Sequence, residues 1–264
     1  MSEPVLVDDE GSVRRLTLNR PEKLNALNSD LVESISSALA RAAEDPEVRV
    51  VVFAGAGRSF CAGYDLSEEP GPAGPEQSLR HSLDRLLEVF DHPKPIIAQV
   101  HGHCLAGGCD LMMMCDLAVA SDDAVFGQPE IRFGSAVVAH VMPWLVGARK
   151  AKELILTGDD RVDAAEALRI GLVNRVVSRD RLEEETMRLA SSLAVVDPLA
   201  MRLTKKAVNR SWEAAGFRQA LIEAVAIGAE IEKARVPERA EFDRLAAEKG
   251  LKEALLWRDG RFSE

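Results

Sequence analysis

Short apolar runs alternate with amphipathic segments through the first half of this chain, and that alternation limits the possible folds more than any other feature. Three runs are rich in β-branched residues and bounded by turn residues, which predicts buried strands. Two segments between them place apolar side chains at helical spacing. The expected strands cover residues 12–18, 48–54 and 95–100, and the expected helices cover about 31–43 and 76–90. This order predicts an α/β fold of stacked units with right-handed crossovers.

The second half of the sequence is mostly helical. Residues 143–170 and 180–250 have helical spacing, with one strand-like piece at 172–177. With 264 residues, the chain has room for one large domain or two small ones. We expect the helical part to cover one end of the α/β core or to reach a neighbouring subunit.

The charge composition argues against nucleic acids and membrane surfaces as partners. The chain has 33 Lys and Arg against 43 Asp and Glu, which gives a formal net charge of −10. No stretch approaches the roughly 20 apolar residues that span a bilayer, and the first thirty residues contain no apolar run of signal-peptide length. These features predict a cytoplasmic protein that binds neither nucleic acid nor membranes.

The cysteines and histidines favour neither a disulfide framework nor a metal site. The four cysteines lie in apolar or glycine-rich sequence, and none forms a CxxC pair. The five histidines include no HExxH or similar spacing. We therefore expect reduced thiols and no bound metal.

Two turns rich in small residues, at 59–66 and 100–111, could present backbone N–H groups to a ligand. The second turn precedes an apolar helix, so its unpaired N–H groups and the positive end of the helix dipole would point outward together. Two such N–H groups that converge on one point would form an oxyanion hole. Taken alone, either stretch is more often an ordinary tight turn.

Two carboxylates accompany these turns. Asp110 falls in the first turn of the expected helix, where the dipole should favour its charged form, and Glu130 follows twenty residues later. Carboxylates in different environments are a common pair for acid and base catalysis. In isolation, Asp110 is equally a helix-start residue and Glu130 equally a surface charge.

Four segments, in this order and spacing, resemble the motifs of the crotonase superfamily, which includes the enoyl-CoA hydratase/isomerase family. They are NRPEKLNAL at 19–27, FCAGYDL at 60–66, GHCLAGGCDL at 102–111 and FGQPE at 126–130. The likeness continues through residues 154–158, 164–167 and 171–174, and it covers roughly residues 10–210. Several motifs at matching spacing are far more specific than any one of them.

The resemblance implies a crotonase-like (ClpP/crotonase) α/β fold of stacked ββα superhelical turns. Residues 1–195 would form this core, and residues 196–264 would form a C-terminal helical trimerisation region. The assembly would be a homotrimer or a homohexamer built as a dimer of trimers. The expected partner is an acyl-CoA thioester substrate, with no cofactor beyond its coenzyme A.

The resemblance also assigns roles to individual positions. The N–H groups of Tyr64 and Gly107 would bind the thioester carbonyl, Asp110 would be the base that positions water, and Glu130 would exchange a proton at Cα. The residues expected to line the path of the CoA moiety are Lys23, Leu24, Ala26, Ala62, Gly63, Asp65 and Leu66. The activity implied is enoyl-CoA hydration, the reversible addition of water across the 2,3 double bond.

Two departures from the family pattern keep other activities open. Many hydratases of the family have Glu at the Asp110 position, and the shorter side chain reduces its reach. Familiar hydratases also carry a Pro-Gly-x-Gly-Gly loop after the second acid, where this chain has residues 133–141; there Val138 still offers an N–H, and His140 could enter the site or pack elsewhere. The alternatives are a Δ3,Δ2-enoyl-CoA isomerase that uses Glu130 alone, another CoA-thioester reaction, or a non-catalytic acyl-CoA-binding member.

Overall fold

A computed structural model of the chain describes residues 3–68, 74–234 and 236–262. Within these residues, six strands form the larger sheet and three form a smaller one. The larger sheet has the order β1 (Val5–Glu10), β2 (Val13–Leu18), β3 (Val50–Gly55), β4 (Ile96–Val100), β6 (Leu117–Ser121), β9 (Arg175–Val177). The smaller sheet has the order β5 (His103–Leu105), β7 (Val125–Gly127), β8 (Val162–Asp163).

Helices follow the strands and then dominate the C-terminal part. The eleven α-helices of the described residues are α1 (Ser29–Glu44), α2 (Pro75–Asp91), α3 (Gly107–Met114), α4 (Met142–Val146), α5 (Ala148–Thr157), α6 (Ala164–Arg169), α7 (Leu182–Ala194), α8 (Pro198–Ala214), α9 (Phe217–Ala234), α10 (Pro237–Lys249) and α11 (Leu251–Gly260). Asn28 is the N-cap of α1, and its side chain accepts a hydrogen bond from Leu31 N at 3.1 Å. The expected helix is therefore confirmed.

The larger sheet is parallel except for the β1–β2 hairpin, and both of its faces are covered. One face, with Leu16, Phe53 and Ile96, belongs to the main core that α1, α2 and α3 also enter. The other face, with Val50 and Ile97, packs against α7. Burial on both faces explains why these strands are continuous apolar runs and do not alternate with polar residues.

The C-terminal helices divide into three kinds by their contacts. Helix α9 packs along α2, and its Phe217, Leu221 and Val225 lie in the main core. Helices α10 and α11 pack on the 3₁₀ turn Glu130–Phe133. By contrast, every residue of α8 is at least partly exposed.

The crotonase-like fold is confirmed by the solved structures described below. The boundary at residue 195 and the trimerisation role of the helices stay predictions. Across the described parts of the chain, no helix combines the length and apolar content that a bilayer crossing requires.

Candidate active site

The two turns predicted from sequence lie side by side in the fold. Cys61 N donates to His103 O and Leu105 N donates to Cys61 O, both at 3.0 Å, so the stretch after Phe60 runs along β5. A Cβ placed on Gly63 would lie 2.7 Å from the Ala106 methyl and 3.4 Å from Gly107 N. The first turn therefore touches the N-terminus of α3, and the absence of a side chain at Gly63 permits that contact.

Two backbone N–H groups at this contact are available to a ligand. Leu27 N donates to Gly63 O at 2.8 Å and Asp65 N donates to Leu27 O at 2.9 Å, so the N–H of Tyr64 between them points away from Leu27. Gly107 is the first residue of α3, where a backbone N–H has no partner within the helix. Neither N–H donates to any described residue, which is the arrangement that an oxyanion hole requires.

Ala106, directly before Gly107, has strained backbone geometry. Its φ of 50° and ψ of −128° lie in a region that side-chain-bearing residues rarely adopt. Its N–H donates to Gly127 O at 2.8 Å, and its carbonyl accepts from Cys109 N and Asp110 N at 2.8 and 3.0 Å. These three bonds hold the strained residue and so fix the direction of the Gly107 N–H.

Asp110 projects from the first turn of α3 into a closed environment. Its side chain is fully buried; Gln128 Nε2 donates to Oδ1 at 2.6 Å and Ala139 N donates to Oδ2 at 3.3 Å. Burial, together with the charge of Glu130, raises the pKa of Asp110 well above its usual value, although the two hydrogen bonds act in the opposite direction. The helix dipole predicted from sequence favours the charged form, but burial acts on Asp110 in the opposite direction.

Glu130 is the second buried carboxyl group, and it differs from Asp110 in its hydrogen bonding. Only 6% of the residue is exposed, so the surface-charge interpretation is wrong. Its Oε2 is buried and has no hydrogen-bond partner among the described residues. Burial raises the pKa of Glu130 to about 8, against the opposing effects of its own backbone N–H and of Arg258.

The two carboxyl groups differ in the protonation state that their surroundings favour. Burial disfavours ionisation of both groups, and the charge of Glu130 further disfavours ionisation of Asp110, so the pair retains a proton at neutral pH. The donors on Asp110 stabilise a negative charge there, whereas the bare Oε2 of Glu130 favours the neutral acid. The arrangement can hold a carboxylate and a carboxylic acid together beside two free N–H groups.

The residues predicted to line the CoA path lie together on two adjoining loops. Ala62 N donates to Leu24 O at 3.0 Å, which joins the loop 20–27 to the loop 61–67. Lys23 Nζ is exposed and lies 3.4 Å from Ser67 Oγ. Ala26 and Gly63 are buried, and Leu66 is exposed. Their contact with CoA stays a prediction.

Asp65 has a partner within the protein. Arg20 Nη2 donates to its Oδ2 at 2.8 Å, and the Ser67 hydroxyl donates to Oδ1 at 2.6 Å. Although burial opposes the shift, hydrogen bonds from Ser67 and Arg20 lower the pKa of Asp65 to about 2. The Asp65 carboxylate thus joins the two loops. Arg20 holds this carboxylate in place, a role that the sequence did not predict.

The structure adds Gln128 and the Ala139 N–H to the site. Sequence reasoning offered the N–H of Val138 from the altered loop, but the donor to Asp110 is its neighbour Ala139. Gln128 lies within the FGQPE segment at 126–130, but the sequence did not show that its side chain donates to Asp110. His140 is half-buried, and burial lowers its pKa.

Comparison with known proteins identifies the family. The family model for enoyl-CoA hydratase/isomerase matches residues 8–241. The chain belongs to the enoyl-CoA hydratase/isomerase family. A crystal structure of an enoyl-CoA hydratase/isomerase from Xanthobacter autotrophicus Py2 is 42% identical, has a TM-score of 0.96, and both chains are covered completely.

Curated members of this family are similar over most of their length. A probable enoyl-CoA hydratase of Rhizobium meliloti is 43% identical over 220 residues, which are 80% of this chain and 83% of the relative. A crotonyl-CoA hydratase of Syntrophomonas wolfei is 37% identical over 234 residues, which are 86% and 89% of the two chains. The resemblance identified from the sequence motifs is thus confirmed.

Proposed function

We propose that this family member is an enoyl-CoA hydratase that adds water reversibly across the 2,3 double bond of a 2-enoyl-CoA thioester. The observation that carries the proposal is the unequal pair of buried carboxyl groups. Asp110 is oriented by two hydrogen bonds, and Glu130 keeps a bare oxygen. Hydration needs one group that accepts a proton from water and another that supplies one to carbon.

The reaction follows from the positions of these groups. The N–H groups of Tyr64 and Gly107 donate to the thioester oxygen, which polarises the conjugated double bond. Asp110 takes a proton from a water molecule as the water oxygen bonds to Cβ. The enolate that forms carries its charge on the oxygen held by the two N–H groups. Glu130 then gives its proton to Cα, and a 3-hydroxyacyl-CoA results.

The second candidate function is the isomerisation of a 3-enoyl-CoA with Glu130 alone. Its support is the raised pKa of Asp110, because an uncharged Asp110 would not activate water. The hydrogen bonds from Gln128 and Ala139 favour hydration, since they stabilise the charged Asp110 that accepts a proton from water.

Hydration of crotonyl-CoA by the purified protein tests the proposal. We expect loss of the enoyl-thioester absorbance and formation of 3-hydroxybutyryl-CoA. Conversion of a 3-enoyl-CoA without any hydration would favour the isomerase. Tight binding of both substrates with no turnover would identify a non-catalytic member.

Hydration should depend on pH through the carboxyl pair. Glu130 must carry its proton to act as the acid, and the pKa of Glu130 is about 8. Initial rates should therefore fall as the pH rises through that value, approaching tenfold per unit. The rate should also fall at the acidic end of the range, because Asp110 must be ionised to accept the proton of water. Initial-rate measurements across this range, at saturating crotonyl-CoA, check the profile; a flat profile above pH 8 would contradict the role of Glu130.

A methyl group at Gly107 should disturb the oxyanion hole. The Cβ of an alanine there would lie 2.4 Å from a ring carbon of Tyr64, so the ring and the Tyr64 backbone would have to move. Gly107→Ala should lower kcat by about 10²-fold, the effect of removing one donor from such a hole. Gly260→Ala is the matched control because its added methyl contacts nothing. Combining Gly107→Ala with Tyr64→Ala should recover part of the loss if the ring is the cause.

We further propose a homotrimer, or a homohexamer built from trimers, with contacts through α8. Leu203 and Val208 on this helix are about half exposed, and they line one open face of the helix together with Ala200 and Ala207. Exposed apolar residues grouped on one helix face support an interface between subunits. The measured mass in solution by light scattering tests this.

We also propose that the reaction needs no cofactor beyond the coenzyme A of the substrate, and that the protein acts in the cytoplasm. The carboxyl pair and the two N–H groups supply every proton transfer and the charge stabilisation. Three of the four cysteines are buried free thiols, which supports a reducing compartment. Activity of the purified protein in the presence of a metal chelator tests the first point.

A further inference from the structure

Three charged residues form a buried cluster beside the turn that carries Glu130. Asp160 Oδ1 lies 3.2 Å from Arg132 Nη1, and Asp160 Oδ2 lies 3.1 Å from Arg258 Nη2. The three side chains are only 10–13% exposed. They come from three separate elements: Arg132 from the 3₁₀ turn Glu130–Phe133, Asp160 from the loop after α5, and Arg258 from α11. We call Arg132, Asp160 and Arg258 the Asp160 cluster.

The end of α5 and the loop after it contact the chain on both sides of Glu130. A Cβ on Gly127, three residues before Glu130, would lie 2.2 Å from Asp159 O and 2.4 Å from Asp160 Cα, so the two backbones are in direct contact. Two residues after Glu130, Arg132 Nε donates to Thr157 O at 3.1 Å. The segment from Gly127 to Arg132 is therefore held at both ends.

The C-terminal helices cover the outer side of this arrangement. Phe242 of α10 stacks on Phe133 with ring centroids 4.9 Å apart. The guanidinium of Arg132 lies 4.8 Å from the ring centroid of Phe262, just beyond α11. Arg258 is 9% exposed and also pairs with Asp259 at 2.6 Å. Ionic interactions between side chains with so little solvent exposure are screened less than those at the surface.

We propose that Asp160 and Arg258 are positioning residues that hold Glu130 in its catalytic place, and that Arg258 supplies a positive charge that acts on it. This inference rests on the proposed function, because it deepens the role of Glu130 in that reaction. Asp160 keeps the turn against its loop and orients Arg258. Arg258 in turn joins α11 to the site, so the C-terminal helices contribute to catalysis through Glu130.

The other charged groups near this turn do not act on Glu130 as Arg258 does. The charged and titratable side chains around it include Tyr64, Asp110, Arg132, His140, Asp160, Glu232, Arg239, Arg258, Asp259 and Arg261. Arg258 is the one whose charge opposes the effect of burial on Glu130. Glu232 accepts from the Ser135 hydroxyl and pairs with Arg239, so these two charges offset each other.

Replacing Arg258 with methionine tests the proposal. Methionine preserves much of the packing of the arginine stem but removes the charge. We expect kcat for hydration to fall about tenfold or more with little change in KM, since small displacements of a catalytic group have large effects. The alkaline limb of the pH profile should move upward, by up to about one unit, because a nearby positive charge no longer favours the Glu130 carboxylate.

Two further variants separate this role from a structural one. Arg258→Lys restores the charge and should return the alkaline limb toward its original place. Arg244→Met removes an exposed arginine of α10, paired with Glu241 and Glu248, and should change neither kcat nor the limb. The proposal would be overturned if Arg258→Met and Arg258→Lys lost kcat equally and in proportion to their loss of thermal stability, while the alkaline limb of the pH profile did not move.

A direct titration keeps the inference independent of the assay. In protein labelled with ¹³C at glutamate carboxyl carbons, the Glu130 signal is assigned by its disappearance in Glu130→Gln. Its pKa should rise in Arg258→Met and remain unchanged in Arg244→Met. If the wild-type protein hydrates no enoyl-CoA, the proposed function fails, while this titration still decides the effect of Arg258. An unchanged Glu130 titration in Arg258→Met would contradict the electrostatic role.

Discussion

Replacing Glu130 with glutamine should lower kcat for crotonyl-CoA hydration by about 10²- to 10⁴-fold, the range expected when a general acid is removed. Glutamine has nearly the same shape, so the turn Glu130–Phe133 should keep its packing. Its amide cannot deliver a proton to Cα. Steady-state kinetics at saturating substrate measure the effect, and incorporation of solvent deuterium at Cα should be lost in parallel.

Glu130→Gln should leave the fold and substrate binding intact. The carboxyl group is buried with one unpartnered oxygen, so its replacement by an amide should not lower thermal stability greatly. Binding of butyryl-CoA, which lacks the double bond, should be nearly unchanged. The exposed Glu248→Gln serves as the control variant and should behave as wild type. Activity within tenfold of wild type in Glu130→Gln would rule out the acid role.

Replacing Asp110 with asparagine should be comparably damaging to hydration, with a loss of about 10²- to 10⁴-fold in kcat. Asparagine cannot accept the proton of water. It also disturbs the local hydrogen bonds, because its NH₂ group must face either Gln128 Nε2 or Ala139 N–H, and both are donors. The same crotonyl-CoA assay measures the loss, with circular dichroism and thermal denaturation to verify folding.

Asp110→Asn also distinguishes the two candidate reactions. A site that uses both carboxyl groups loses hydration in this variant. If the wild-type protein isomerises a 3-enoyl-CoA and that activity survives in Asp110→Asn, Glu130 alone carries it. Hydration that persists near the wild-type rate in Asp110→Asn would refute the two-acid mechanism. Gln128→Leu should give a smaller loss, because Asp110 keeps its bond from Ala139.

Local patterns predicted most of the core elements. Residues 48–54 and 95–100 have the composition of buried parallel strands, and they correspond to Val50–Gly55 and Ile96–Val100. Helix Ser29–Glu44 was readable because its apolar side chains repeat at helical spacing. Strand Val5–Glu10 was not predicted, since only its first residue is buried and its sequence therefore lacks an apolar pattern.

The sequence motifs predicted which residues would form the candidate site, but they predicted only part of the contacts among those residues. The motifs led to Tyr64, Gly107, Asp110 and Glu130, and the fold brings the turns that carry them together. The donors to Asp110 lie 18 and 29 residues away in the chain, and the cluster around Asp160 joins residues 28 and 98 apart. No spacing rule relates such positions, because their contacts depend on how separate elements pack.

The sequence by itself determined the order of strands and helices, the two turns with available N–H groups, and the candidate pair of carboxyl residues. These depend on local periodicity, glycine positions and residue chemistry. Only the tertiary structure decided the ionisation of the acids. The dipole of α3 favours a charged Asp110, but complete burial and the nearby Glu130 oppose that preference and raise the pKa of Asp110. Desolvation is a property of everything that surrounds a group, and most of what surrounds these two comes from distant parts of the chain.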